Sequence, residues 1–230
     1  SDLTAQSSQY TPGALNYSQT ELVIKFIPEL NADEKQLVRQ AHEVIKYDTC
    51  SCSNEDIEVW HFTPGPNIKS RLGEAEADPD LEGSELQYYM TSSPPLFNSN
   101  GSNLAALRSK VKNNNKRDVV IAIIDSGVDY KYEGFNMPFL YDTSGEESCS
   151  DSPSQENISG WDFVNDDNDV FDDNGHGTVV THSIFSKLKD ARIPFQILPI
   201  KAFNADGKTK YSTIICSYIY AMNNPDVDII

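Results

Sequence analysis

The pattern of apolar and polar positions differs between residues 21–92 and residues 104–230, and this difference predicts two domains. The N-terminal part has short segments of alternating apolar residues, which predict strands at 21–27, 43–51, 56–62 and 84–90. Two stretches with helical spacing lie between them, at 31–44 and, more weakly, at 67–81. The resulting order, β-α-β-β-α-β, is typical of a small open-faced α+β sheet with two helices behind it. Residues 1–20 are polar and predict a flexible tail, so the first domain is expected at 21–92.

The apolar runs become continuous after a linker at 93–103 that is rich in serine, asparagine and proline. The segments 117–127, 195–203 and 227–230 predict strands buried on both faces of a sheet. Helical patterns at 104–112, 175–188 and 211–224 alternate with them. This alternation predicts an α/β domain with a parallel sheet over residues 104–230.

Charge and composition narrow the classes of function. The chain has 35 acidic and 18 basic residues, a net charge of −17, which disfavours binding to nucleic acids or anionic membranes. No stretch approaches the roughly 20 apolar residues of a membrane span. The four cysteines are too few for a disulfide scaffold, have no C-x-x-C spacing for zinc, and leave the compartment open. The charge suits a secreted protein or one that collects cations, and the first residues are typical of a mature or trimmed terminus.

Two short motifs carry the candidate chemistry. Asp125 ends an apolar strand, and the carboxyl ends of strands in α/β sheets are where catalytic groups collect. His176 stands between Gly175 and Gly177 at the predicted start of a helix. A buried aspartate can accept the Nδ1 proton of such a histidine and leave Nε2 as a general base. Each motif alone is more often a structural aspartate or a histidine in a turn.

Taken in order, these motifs resemble a known family. The segments VVIAIIDSGVD, DDNGHGTVV and ILPIKAFNADGKTKYS are similar to the first half of the catalytic domain of subtilisin-like serine proteases, the subtilases. Residues 21–92 resemble the propeptide of the same family, including the ADPD turn before the last strand. The resemblance implies a serine endopeptidase zymogen, secreted, periplasmic or extracellular, that hydrolyses peptide bonds of peptide or protein substrates.

The resemblance also assigns residues. Asp125 and His176 match the catalytic aspartate and histidine of an Asp-His-Ser triad. Residues 204–212 correspond to the strand that pairs with the substrate backbone, with Gly207, Lys208 and Thr209 as contacts and Tyr211 on a pocket rim. The propeptide is expected to dock on the catalytic region and to block the cleft with its last strand.

The chain departs from the family pattern in two ways. His182 replaces a small residue on the histidine helix, which implies a looser contact or a shifted helix. The family's serine nucleophile and oxyanion asparagine match no residue in the chain, so the 230 residues alone are expected to be inactive. The chain is thus either the N-terminal portion of a protease zymogen or a non-catalytic pseudoprotease, a peptide-binding or inhibitory module.

The loop before His176 is strongly acidic. Residues 161–173 contain six aspartates and two asparagines, and calcium accepts several oxygen ligands in irregular geometry. The alternative is a solvated acidic loop. Since subtilases often bind calcium near this position, the resemblance leaves a structural Ca²⁺ site and the solvated loop as two open alternatives. The expected ligands of such a site are Asp162, Asp166, Asn168 and Asp169.

Overall fold

Two β-sheets organise the protein, one antiparallel and one parallel. The computed structural model describes residues 16–51, 56–92, 118–141 and 160–230. The predicted linker at 93–103, the predicted helix at 104–112 and most of the predicted tail lie outside these ranges. None of the helices in the described ranges is long and apolar enough to cross a membrane.

The N-terminal unit has the predicted order of elements. In chain order these are β1 (Tyr17–Phe26), α1 (Ala32–Ala41), β2 (Lys46–Thr49), β3 (Ile57–His61), α2 (Ile68–Glu76) and β4 (Leu81–Thr91). The first strand starts inside the predicted tail, because Tyr17 pairs with Tyr88 of β4. The first helix ends earlier than predicted, since Glu43 takes a left-handed conformation with a φ of 57°. A core that includes Leu22, Phe26, Trp60 and Ile68 fills this unit.

The C-terminal unit is an α/β layer structure, as predicted. Its elements are β5 (Val119–Asp125), β6 (Trp161–Asp162), α3 (His176–Ala191), β7 (Phe195–Lys201), β8 (Lys208–Lys210), α4 (Tyr211–Asn223) and β9 (Val227–Ile229). Four strands form a parallel sheet in the order β6-β7-β5-β9. Separate hydrophobic clusters, one including Phe185 of α3 and the other Ala221 of α4, pack against residues of β5 and β7. The central strands therefore need the continuous apolar runs seen in the sequence.

One strand of the C-terminal unit is the edge strand of the N-terminal sheet. Strand β8 belongs to the C-terminal unit, yet it pairs antiparallel with β4. The N-terminal sheet consequently has five strands in the order β2-β3-β1-β4-β8. A fourth cluster lies between the units and joins Val23 and Ile57 of the N-terminal sheet to Ile219 of α4.

Candidate active site

Asp125 is fixed at the carboxyl end of β5. It is the last residue of that strand and is in register with Lys201 of the neighbouring β7. Its carbonyl oxygen accepts hydrogen bonds from the amides of Ala202 at 2.7 Å and Phe203 at 3.2 Å. Only 9% of the residue is exposed, so the carboxylate sits in a largely buried position at the edge of the sheet.

Two glycines bring the first turn of α3 against this strand end. Gly175 precedes the helix with a φ of +96°, a conformation that residues with a side chain rarely adopt. Gly177 is in close contact with β5: an added Cβ would overlap the carbonyl oxygen of Gly127 and lie 3.2 Å from the Cβ of Asp125. The close approach permitted by Gly177 places His176 directly beside Asp125.

The predicted contact between His176 and Asp125 is present. Nδ1 of His176 lies 2.7 Å from Oδ1 and 2.8 Å from Oδ2 of Asp125. The Oδ1 atom also accepts a hydrogen bond from the amide of Ser126 at 2.7 Å, which orients the carboxylate. Since the carboxylate accepts, Nδ1 carries the proton, and Nε2 of the neutral ring has a free lone pair. Within the described part of the chain Nε2 has no hydrogen-bond partner.

Asp172 bonds the residues that flank this pair, and it was not among the residues predicted from the sequence to have a role. Its residue is 6% exposed. Its Oδ1 accepts from Ser126 Oγ at 2.8 Å, from the amide of Gly175 at 2.8 Å and from the amide of Asn174 at 3.1 Å. Its Oδ2 accepts from the amide of Thr178 at 2.8 Å and from its hydroxyl at 2.6 Å. The signal in the sequence was an aspartate just ahead of a helix start, where carboxylates commonly satisfy free amides.

The charge on Asp172 is maintained by these donors. Burial raises the pKa of the carboxyl group, but the hydrogen bonds from Thr178, Gly175 and Ser126 together outweigh it, so the pKa lies below its ordinary value. A charged carboxylate at the N-terminal end of α3 also interacts favourably with the helix dipole. Asp172 and Ser126 thereby hold the loop that carries His176, because Ser126 Oγ in turn accepts the amide of Gly177 at 2.9 Å.

Three of the four residues predicted to bind calcium accept hydrogen bonds from protein groups. Asp162 is fully buried and accepts hydrogen bonds within its own turn, from two backbone amides and the side chain of Asn165. Asp166 accepts a hydrogen bond from Ser51 of the N-terminal unit, and Asp169 accepts the amide of Phe171. Asn168 is half-buried in the same loop. Across the described ranges, no three His, Cys, Asp or Glu side chains are arranged to hold a metal ion.

A lysine supplies a positive charge to this loop. Lys201 is 3% exposed, and its Nζ donates to the carbonyl oxygen of Phe171 at 3.0 Å. The same atom lies 3.3 Å from Oδ2 of Asp162 and 3.3 Å from Oδ2 of Asp173. The geometry therefore does not fit the expected calcium site. Calcium binding stays a prediction, which melting curves in calcium and in chelator would test.

The residues predicted to contact substrate lie against β4. Thr209 pairs with Met90 and Lys208 with Thr91, and the carbonyl oxygen of Gly207 accepts the amide of Ser92 at 2.8 Å. The ring of Tyr211 packs edge-on against Tyr88 with centroids 6.3 Å apart. A cavity of about 510 Å³ lies beside β8, and Phe163, Val164 and Thr213 are among its lining residues. All four predicted contacts thus face the last strand of the N-terminal unit.

His182 occupies an aromatic cluster. Its ring contacts Tyr132, Phe135 and Phe185, with centroids 5.4, 5.7 and 6.3 Å apart. The loop around Gly134 leaves room for it, because a Cβ on that glycine would lie 2.9 Å from Nε2 of His182. The larger side chain is therefore accommodated by the segment that follows β5.

Comparison with known proteins agrees with the geometry of this site. No curated protein sequence matches the chain. The model of the Subtilase family matches residues 116–230, a range that contains β5, the acidic loop, α3 and the strand β8. The matched range is half of the chain and includes both Asp125 and His176. The chain belongs to the subtilase family.

Proposed function

We propose that the chain is the N-terminal portion of a subtilisin-like serine endopeptidase and supplies two members of its Asp-His-Ser triad. The observation that carries this proposal is the 2.7 Å contact between Asp125 and His176 at the carboxyl edge of the parallel sheet. In that mechanism Nε2 of His176 takes the proton of the attacking serine and then gives it to the leaving amine. Asp125 keeps the ring in the required tautomer and stabilises the imidazolium that forms.

Expression of the complete reading frame that encodes this chain tests the proposal. We expect endopeptidase activity on a general peptide substrate, and we expect Asp125→Asn to lower kcat by about 10⁴ because it favours the wrong tautomer. His182→Asn is the matched control, since it changes a histidine of the same helix that lies in the aromatic cluster. The 230-residue chain alone should be inactive.

Folded protein without activity would contradict the endopeptidase proposal. It would favour the alternative, a non-catalytic peptide-binding or inhibitory module. Equal losses in the Asp125 and His182 variants would point to a general defect in folding and remove the assigned roles.

We also propose that the N-terminal unit is a propeptide that docks on the catalytic region. Polar contacts between the units support this. Gln87 is fully buried, and its side chain both accepts the amide of Ser212 at 3.0 Å and donates to Ser212 Oγ at 2.7 Å. Ser212 lies in the first turn of α4, so Gln87 satisfies an amide that the helix itself leaves free. Lys210 forms an ion pair with Glu21 at 3.1 Å.

Strand β4 gives this docking an inhibitory character. Strand β4 pairs with Lys208, Thr209 and Lys210, the three residues of β8. An extended substrate would pair with β8 as well. A peptide substrate therefore has to displace β4 before it can bind. The N-terminal unit is expected to inhibit a related active subtilase when it is added separately, and an absence of inhibition would reduce it to a spacer.

We further propose that the protein acts outside the cell. A disulfide joins Cys50 to Cys216, and disulfides persist mainly in oxidising compartments. Detection of the protein in the culture medium, with this bond intact, is the expected result.

A further inference from the structure

The disulfide between Cys50 and Cys216 crosses from one unit to the other. Cys50 directly follows β2 of the N-terminal unit, and Cys216 lies in α4 of the C-terminal unit, 166 residues further along the chain. Both residues belong to the hydrophobic cluster between the units. The bond is therefore part of the same interface as the pairing of β4 with β8.

This bond gives the two units a second covalent connection. The first is the polypeptide between β4 and β5, the place where removal of a propeptide has to cut the chain. A cut there leaves Cys50 and Cys216 joined. Peptide cleavage alone can then free the end of β4, but it cannot let the N-terminal unit diffuse away.

The disulfide borders a cavity at this interface. The cavity has a volume of about 630 Å³, and both cysteines line it. Each cysteine is less than a tenth exposed, while Tyr47, Asp48 and Asp166 on the cavity wall are exposed. The cavity is large enough to admit a small thiol next to the two cysteines.

We propose that thiol reduction of Cys50–Cys216 is the step that releases the N-terminal unit after the chain has been cut. The proposal rests on the proposed function of that unit as a propeptide. A dithiol reductant donates two electrons and two protons: the bond between the two cysteines breaks, each becomes a thiol, and the reductant closes its own disulfide. Until then the N-terminal unit of the cut protein stays covalently attached to the C-terminal unit.

The test uses the whole 230-residue chain with a site for a sequence-specific protease inserted between residues 100 and 101. Cys52 and Cys149 are changed to serine, so that only one pair can bridge. After the cut, a denaturing gel without reductant should show one band near 25.6 kDa, and dithiothreitol should resolve it into two. Two bands without reductant would overturn the proposal.

A native experiment separates the covalent bond from the other contacts. The cut protein is diluted to nanomolar concentration and analysed by gel filtration and native mass spectrometry. We expect the units to stay together without reductant and to separate after dithiothreitol. The cut Cys50→Ser variant should separate without reductant. Units that remain together after reduction would show that the non-covalent contacts suffice and would also overturn the proposal.

Reduction of the cut chain that keeps Cys50 and Cys216 provides this result even where Cys50→Ser fails to fold. All of these readouts are masses and need no peptidase activity. A released unit that does not inhibit a subtilase would refute the propeptide assignment, but it would not contradict the covalent link between the two units through Cys50–Cys216. The two failures are therefore distinguishable.

Discussion

Replacing Asp172 with asparagine removes a negative charge from the loop that carries His176 while keeping the shape of the side chain. The carboxylate accepts hydrogen bonds on both oxygens, and those on Oδ2 come from the amide and the hydroxyl of Thr178. An asparagine can keep its oxygen toward Ser126 and Gly175. Its amide nitrogen then faces the backbone N–H of Thr178, which loses its acceptor.

The magnitude follows from these contacts. A buried N–H left without an acceptor costs about 1–3 kcal/mol. The remaining bonds change from charge-assisted to neutral and become roughly half as strong. The loss of the favourable charge at the start of α3 adds about 0.3–1 kcal/mol. We therefore expect Asp172→Asn to lower the free energy of unfolding by on the order of 3 kcal/mol.

The effect should depend on pH in a defined direction. The pKa of Asp172 is lower in the folded protein than its ordinary value, so the unfolded chain takes up the proton first as the pH falls. The stabilisation is complete above the ordinary aspartate pKa of about 3.9 and is lost as the pH falls through the folded value. The difference between wild type and variant should accordingly be constant near neutral pH and shrink below about pH 4.

Urea unfolding at a series of pH values measures both quantities. Asp169→Asn is the matched control. Within the described ranges this exposed carboxylate of the same loop accepts one hydrogen bond, from the amide of Phe171, so its loss should lower the free energy of unfolding by less than about 1 kcal/mol. Equal effects of the two substitutions, or a difference that grows as the pH falls, would refute the role given to Asp172.

Two further substitutions test the packing around the site. Gly177→Ala should lower the free energy of unfolding by about 1–3 kcal/mol and loosen the first turn of α3. Gly73→Ala changes an exposed position in α2 with no atom within 4 Å of an added Cβ, and it should raise the free energy of unfolding by about 0.4–1 kcal/mol. Urea unfolding measures both, and equal effects would contradict the close approach at Gly177. Lys201→Met should cost about 3–5 kcal/mol because Asp162 keeps a buried charge without its partner. Calorimetry should show that Asp162→Asn in the same chain restores part of that loss, and a methionine variant as stable as the wild type would mean that the ion pair contributes nothing.

The contact between Asp125 and His176 could be predicted because both signals are local. An apolar run that ends in an acid fixes one side chain at the edge of a sheet, and two glycines fix the other at a helix start. The family match then spans both motifs. The parallel sheet follows from the same kind of evidence, since continuous apolar runs imply burial on both faces.

The partners of the acidic loop could not be predicted in the same way. The sequence of residues 161–173 is compatible with carboxylates that bind a metal ion and with carboxylates that pair with an ammonium group. The choice depends on Lys201, a residue of β7 that reaches the loop only once the parallel sheet has formed. Likewise, nothing local in the sequence pairs Cys50 with Cys216, because their bond depends on how the two units meet.

The pairing of β4 with β8 also determines how each unit behaves once the other has gone. A sheet edge with free backbone groups is a template for aggregation, and proteins protect such edges with short strands and lysines. Strand β8 has both protections: it is three residues long and carries Lys208 and Lys210, both exposed. Strand β4 runs for 11 residues without a lysine, and the segment that pairs with β8, Tyr89 to Thr91, includes an exposed Tyr89. A separated N-terminal unit should therefore self-associate through β4, and every copy lost in this way is no longer able to rebind, which makes separation in effect irreversible.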